Sequence, residues 1–168
     1  GSIPRSVPDD IYESIMKSLL DKEVEFIVDA TKDLLLKVLK YGPFLIKPNH
    51  HELAEMFDVE LKSDEDIIKY GKKLQEMGAK NVLISMAGDG AILLPQNGEA
   101  IKREAPKGIL KNSVGAGDSM VAGFLCGYLK NRDLDEAFKM GVATGSASAF
   151  SEGLATEEEV ENLLKQMK

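Results

Sequence analysis

The sequence predicts an α/β protein, a mostly parallel sheet with helices on both faces. Three observations predict it. Short, wholly apolar runs alternate with segments of helical periodicity. The one strong hairpin signal, Asn97-Gly98, comes late in the chain. The turn-forming, small-residue motifs follow strands, at the edge where right-handed crossovers gather strand carboxyl ends and where such sheets bind ligands.

The elements follow in order. Asp9 or Asp10 can cap a first helix whose apolar face is Ile11, Ile15, Leu19 and Leu20. Val24 to Asp29 reads as a buried strand. Thr31 can cap the next helix, with Leu34, Leu35, Val38 and Leu39 inward. Phe44-Leu45-Ile46 is a second strand, stopped by Pro48. Helices follow at about His51 to Phe57 and Asp64 to Met77, the latter ended by Gly78. Asn81 to Met86 is a third strand, Gly88-Asp89-Gly90 a tight turn, and Ala91 to Leu94 a fourth strand. The Asn97-Gly98 turn leads into Glu99 to Glu104. From Gly117 the chain turns helical, with Phe124, Leu125, Tyr128 and Leu129 as one face. Leu134 to Phe150 carries many small residues and suits close packing against a neighbour or a ligand. Thr156 with Glu159 spells a capping box for the last helix.

With 168 residues the chain fits one domain, residues 1–168, with a real core. A net charge of −7 argues against general binding of nucleic acid or an anionic membrane. It leaves room for a nucleotide, which needs only a few amides, a metal and a lysine. No apolar run is long enough to span a bilayer. The single cysteine, Cys126, rules out an intrachain disulfide and points to a reducing, cytoplasmic compartment. In the helix it is expected to be buried and inert.

Three segments carry chemistry. In Gly115-Ala-Gly-Asp118 the lack of side-chain bulk lets an anion reach free amides at a helix start, where the dipole favours negative charge. Asp118 beside it can accept a proton from an attacking hydroxyl. An aspartate there is equally an ordinary cap. The Gly-x-Gly-x-x-Gly dinucleotide spacing fails at Met120. Asn49 and Glu52, three apart on a first helical turn, can hold a hydrated Mg²⁺. The same pair also spells a capping box. His50 and His51 diverge by about 100° on a helix and no Cys or third His joins them, so they make a poor zinc site. Ser85-Met-Ala-Gly-Asp-Gly90 ends a strand in a small turn that suits a flat or phosphorylated ligand, or is a plain turn. Glu157 to Glu159 reads as a solvated helix face.

Taken together and in this order, the motifs resemble the ribokinase-like (pfkB-type) carbohydrate kinase family. Asn112-Ser-Val-Gly-Ala-Gly-Asp118-Ser-Met-Val-Ala-Gly-Phe124 resembles the family's C-terminal signature, and Lys47-Pro-Asn49-His-His-Glu52 its Asn-x-x-Glu segment. Ile84 to Leu93 is similar to its nucleotide-lining strand-turn-strand. Ala147 to Gly153 resembles the branch of 1-phosphofructokinases and tagatose-6-phosphate kinases. The resemblance implies a three-layer α/β/α sandwich and ATP- and Mg²⁺-dependent transfer to a sugar phosphate, fructose 1-phosphate first. It implies that Asp118 is the base and that the amides of Gly115, Ala116 and Gly117 form the anion hole. Asn49 and Glu52 would position Mg²⁺ and the ATP phosphates, with Lys47 beside them. Ser85, Met86, Ala87, Gly88, Asp89 and Gly90 would line the nucleotide, together with Gly117 and Asp118. The small residues from Ala143 to Ser148 would lie near the adenine.

One departure is local: the branch has Ser-Leu-Gly-Ala-Asp-Gly where this chain exchanges the glycine and alanine at Ala87 and Gly88. Another is length. Family enzymes are about twice as long, and Gly1-Ser-Ile-Pro resembles their Gly-Ser-Leu-Pro segment after a central strand. The expectation is a C-terminal portion without the N-terminal half, its sugar contacts and its lid. Homodimerisation, which the family performs through that lid, is a further expectation.

Overall fold

The computed structural model describes Pro4 and residues 6–167. The reading of Gly1 and Ser2 lies outside these residues. Two compact units emerge. One holds the chain through Ser85 together with Ile92–Ala100; the other holds Met86–Ala91 and the chain from Ile101 onward.

The first unit alternates helices and strands: α1 (Ile11–Ser18), β1 (Ile27–Val28), α2 (Lys32–Val38, extended by a 3₁₀ turn Leu39–Tyr41), β2 (Leu45–Ile46), α3 (His50–Met56), α4 (Asp64–Glu76), β3 (Asn81–Ser85) and, from its second residue on, β4 (Ala91–Leu94). The first three strands pair in parallel in chain order. Val28 sits opposite Ile46, and Ile46 opposite Val82. Four successive β3 residues are buried, as are all four of β4. Successive strand residues point to opposite faces, so both faces of the sheet are covered. Leu45, Ile46, Val82, Leu83, Ile84, Ile92 and Leu93 are fully buried there, as are Leu35, Leu53 and Leu74 on the helices.

The first strand is shorter than the sequence suggests. Val24 is exposed and only Ile27 and Val28 pair. Asp10 and Thr31 stand at N-cap positions but make no side-chain cap bond. Gly78 does end α4: at φ 128° it lies against the Leu39 carbonyl, where a Cβ would clash.

The second unit contains β5 (Ile101–Arg103), α5 (Ala116–Asn131), α6 (Leu134–Phe150) and α7 (Glu157–Leu164). α5 and α6 pack through glycines. Gly123 faces Thr144, Gly127 the Cα of Ala137, Gly141 the Met120 backbone, and Gly145 the Ala116 carbonyl. The expected α5 face of large side chains is therefore wrong in part. The buried set is Ser119, Met120, Gly123, Phe124 and Gly127, whereas Leu129 is 64% exposed. Cys126, expected to be buried, is exposed. It follows Phe124 by two residues, about 200° round the helix, on the opposite side. α7 docks on α6 through Val160 and Leu163 against Ala143 and Ala147.

Candidate functional site

In the first unit, chemistry-bearing residues form a row at the carboxyl ends of three adjacent parallel strands. Asp29 follows β1, Lys47 and Asn49 follow β2, and Ser85 ends β3. An isolated parallel bridge joins Asn49 to Ser85, and the Ser85 amide donates to the Pro48 carbonyl at 3.2 Å. His50 Nδ1 lies 3.4 Å from the Ser85 carbonyl, within a long hydrogen bond. Lys47 is buried, with its Nζ 3.4 Å from Asp29 Oδ2.

Asn49 and Glu52 close the start of α3 on itself. Asn49 Oδ1 accepts from the Glu52 amide and Glu52 Oε2 accepts from the Asn49 amide, both at 2.8 Å. The capping-box alternative is thus realised in full. One Glu52 oxygen remains without a hydrogen bond among the described residues. That oxygen is compatible with a water-coated Mg²⁺, which needs a single carboxylate nearby. The pair does not amount to a cage, and no group of three or more metal-ligating side chains occurs among the described residues.

In the second unit, Met86 to Gly90 form a tight turn. The Met86 amide donates to the Gly90 carbonyl at 2.8 Å, and Ala87–Asp89 make one 3₁₀ turn. Met86 is buried; Ala87, Gly88 and Asp89 are exposed. Gly90 takes φ 89° and presses on the backbone from Arg103 to Ala105, so its glycine identity has a packing cause. The exchanged pair matters at Ala87, which takes φ 50°, while Gly88 has open space around it.

The start of α5 is built differently from that of α3. Gly115 is the N-cap, at φ 79°, and supplies no side chain to cap the helix. Asn112 Oδ1 accepts from Val114 N at 3.0 Å and shapes the approach. The Ala116 amide donates to Ser113 O at 3.2 Å, which removes it from the expected anion hole. The amides of Gly115, Gly117 and Asp118 find no acceptor among the described residues. The Asp118 side chain is exposed, without a hydrogen bond or ion pair among them. A group that binds phosphate has this form: unpaired amides, a favourable dipole and no bulk.

The small residues assigned to the adenine fare differently. Ala143, Gly145, Ala147 and Ser148 are buried within the unit, and Ser148 Oγ donates to Ser119 Oγ at 2.8 Å. Their smallness serves helix packing; only Thr144 and Ser146 in that stretch are partly exposed. Asp29 was missed by sequence reasoning, which read it only as the last strand residue. Its position at a strand carboxyl end was the available signal.

A family model described as pfkB family carbohydrate kinase matches residues 1–161. The chain belongs to the pfkB family of carbohydrate kinases, and its fold is the mostly parallel α/β fold of the ribokinase-like kinases. Among its relatives is the 1-phosphofructokinase of Bacillus subtilis, 52% identical over all of this chain and 55% of that protein. The D-tagatose-1-phosphate kinase of Bacillus licheniformis is 39% identical over 99% of this chain and 55% of its own length. A Staphylococcus aureus structure assigned as a phosphofructokinase superposes with a TM-score of 0.94 at 42% identity, covering 100% of this chain and 55% of that one. The chain spans about half the length of the curated relatives it matches. No helix among the described residues is long and apolar enough to cross a membrane.

Proposed function

We propose that this chain is the nucleotide-binding, base-bearing part of an ATP- and Mg²⁺-dependent kinase of a ketohexose phosphate. Fructose 1-phosphate, giving fructose 1,6-bisphosphate, is the first candidate. The observation that carries the reading is the open start of α5, with three amides unpaired among the described residues beside an Asp118 carboxylate that has no partner among them. The choice of sugar rests on the relatives' names, which specify a 1-phosphate in both the fructose and the tagatose case. These favour a 1-phosphate over tagatose 6-phosphate.

Asp118 accepts the proton of the acceptor hydroxyl as its oxygen attacks the γ-phosphorus in line, and the ADP oxygen leaves. The amides of Gly115, Gly117 and Asp118 donate to the equatorial oxygens, where charge is spread in the transition state. Lys47 offers a buried ammonium to the phosphates. Bound Mg²⁺ supplies charge neutralisation across the phosphates; Asn49 and Glu52 would hold its water shell. The turn from Ala87 to Gly90, exposed at Ala87, Gly88 and Asp89, lines the nucleotide. The test is a panel of sugar phosphates offered to the full-length enzyme. Turnover is expected with fructose 1-phosphate or tagatose 1-phosphate, and a preference for an unphosphorylated sugar or a nucleoside would overturn the assignment.

A second reading rests on coverage. The 168 residues correspond to about half of the kinases they match, and assayed alone they act as a nucleotide-binding module without sugar-dependent ATP turnover. Steady fructose-1-phosphate-dependent ADP release by these 168 residues would remove that reading.

A further inference from the structure

The row of residues at the sheet's carboxyl edge contains an ion pair between a buried lysine and a half-buried aspartate that phosphate binding alone does not explain. Asp29 follows β1 and Lys47 follows β2. The register Val28 opposite Ile46 brings the next residue of each strand side by side. The Lys47 side chain is 7% exposed and that of Asp29 29%, so the cation is the deeper partner. An ammonium at that depth is strongly unfavourable without a counter-charge. The contact is nevertheless loose. Its 3.4 Å exceeds the length of a tight charge-assisted hydrogen bond. An ammonium has three donors, and among the described residues Asp29 is the carboxylate paired with it.

We propose that Asp29 is a resident counter-anion for Lys47, which an incoming phosphate must share or displace, so that it sets the affinity of this edge for polyphosphate. The inference rests on the reading that Lys47 meets the phosphates of a nucleotide. Asp29 then has two opposed effects. It stabilises the fold by neutralising a buried cation, and it weakens anion binding by competing for that cation. A residue with a merely structural role changes stability without strengthening ligand binding.

The test measures Tm and ATP affinity by calorimetry on the 168-residue chain, in EDTA so that no metal contributes, for wild type, D29N, D29E, K47M and the D29N/K47M double variant. D29N is expected to lower Tm and to bind ATP more tightly by about fivefold or more, the scale of one unit charge about 4 Å away and screened as fully as in bulk water. D29E keeps the charge and should bind as wild type. K47M should lose affinity, and the double variant should show no gain over K47M. Adenosine, without phosphates, should not distinguish D29N from wild type. Equal or weaker ATP binding by D29N, with K47M still impaired, overturns the counter-anion and leaves the kinase reading standing. No ATP binding by wild type, or wild-type affinity in K47M, removes the role of Lys47 and the proposal with it. Should D29N be too unstable for calorimetry, the rise in Tm on adding tripolyphosphate serves instead. A larger rise than in wild type is expected, and an equal or smaller one overturns the proposal.

Discussion

The starts of α3 and α5 carry the two motifs with the most chemistry, and they are built in opposite ways. At α3, Asn49 and Glu52 exchange hydrogen bonds with each other's amides, and the helix end is satisfied from within. At α5, Gly115 provides no cap, three amides stay unpaired and Asp118 touches no partner among the described residues. α4, α6 and α7 follow the α3 pattern, with Ser63, Asp133 and Thr156 accepting from the amide three residues on. A helix start that closes on itself stabilises the fold, whereas one left open keeps its donors and dipole for an external anion. On the proposed reading, proton and phosphoryl transfer belong to the open start, while the closed one holds the scaffold beside the metal's water shell.

The largest expected effect tests the open start. In the full-length enzyme Asp118→Asn should lower turnover by about a hundredfold or more, the scale of a lost general base. Because the carboxylate has no partner among the described residues, stability should change by no more than about 0.5 kcal/mol, its interaction with the helix dipole. Steady-state kinetics and thermal denaturation check the two halves. Near-normal turnover would remove Asp118 as the base, and a large loss of stability would contradict its unpartnered state.

The closed start should respond the other way. Asn49→Ala removes the acceptor for the Glu52 amide and should cost about 1 kcal/mol, read from chemical denaturation. If it costs nothing, the α3 box is not holding the helix, and the contrast with α5 fails.

How far this contrast was legible in the sequence depends on range. Both capping boxes could be read from three-residue spacings, because the bonds span a single turn: Asn49 with Glu52, and Thr156 with Glu159. The apolar runs gave the buried interiors of β2, β3 and β4. The openness of Gly115 was ambiguous, since an aspartate three residues on could have been a cap; only the geometry shows it unpaired. The inward face of α5 was misjudged because large side chains were weighed above glycines, whereas the small residues of α6 were read as suited to close packing. Close approach of two backbones puts Gly123, Gly127, Gly141 and Gly145 at the contact and leaves Leu129 and Cys126 outside. Asp29 beside Lys47 needed the pairing of β1 with β2, which no local pattern encodes.

α7 extends the closed class to a pH test. Glu159 Oε2 accepts from the Thr156 amide at 2.8 Å and Oε1 from Ser151 Oγ at 2.8 Å. The Thr156 backbone bond first, then the Ser151 and Thr156 hydroxyls, hold the Glu159 carboxyl below its ordinary value of 4.5. A depressed folded value contributes stability that is present above the unfolded value and lost as pH falls through the folded one. Amide exchange in α7 should therefore quicken as pH falls below about 4.5, after correction for intrinsic rates. Glu159→Gln should flatten that dependence. Water screens this exposed group, so the effect is expected to be small.

The smallest expected effect separates the two left-handed turns near the proposed ligand. Gly115 at φ 79° has the residue type its backbone requires; Ala87 at φ 50° does not, and Gly88 beside it has open space. Exchanging the pair, Ala87→Gly with Gly88→Ala, relieves the strained alanine and removes chain freedom from the unfolded state at the next position. A gain of about 0.5 kcal/mol follows from the balance of these terms. If stability rises while ATP affinity falls, the alanine's conformation is tied to binding, and the Ala87 turn joins the α5 start in the open class. If stability rises with affinity unchanged, the exchange is a local strain that the surrounding fold tolerates, and α5 remains the only one of the two turns whose unusual backbone bears on the ligand.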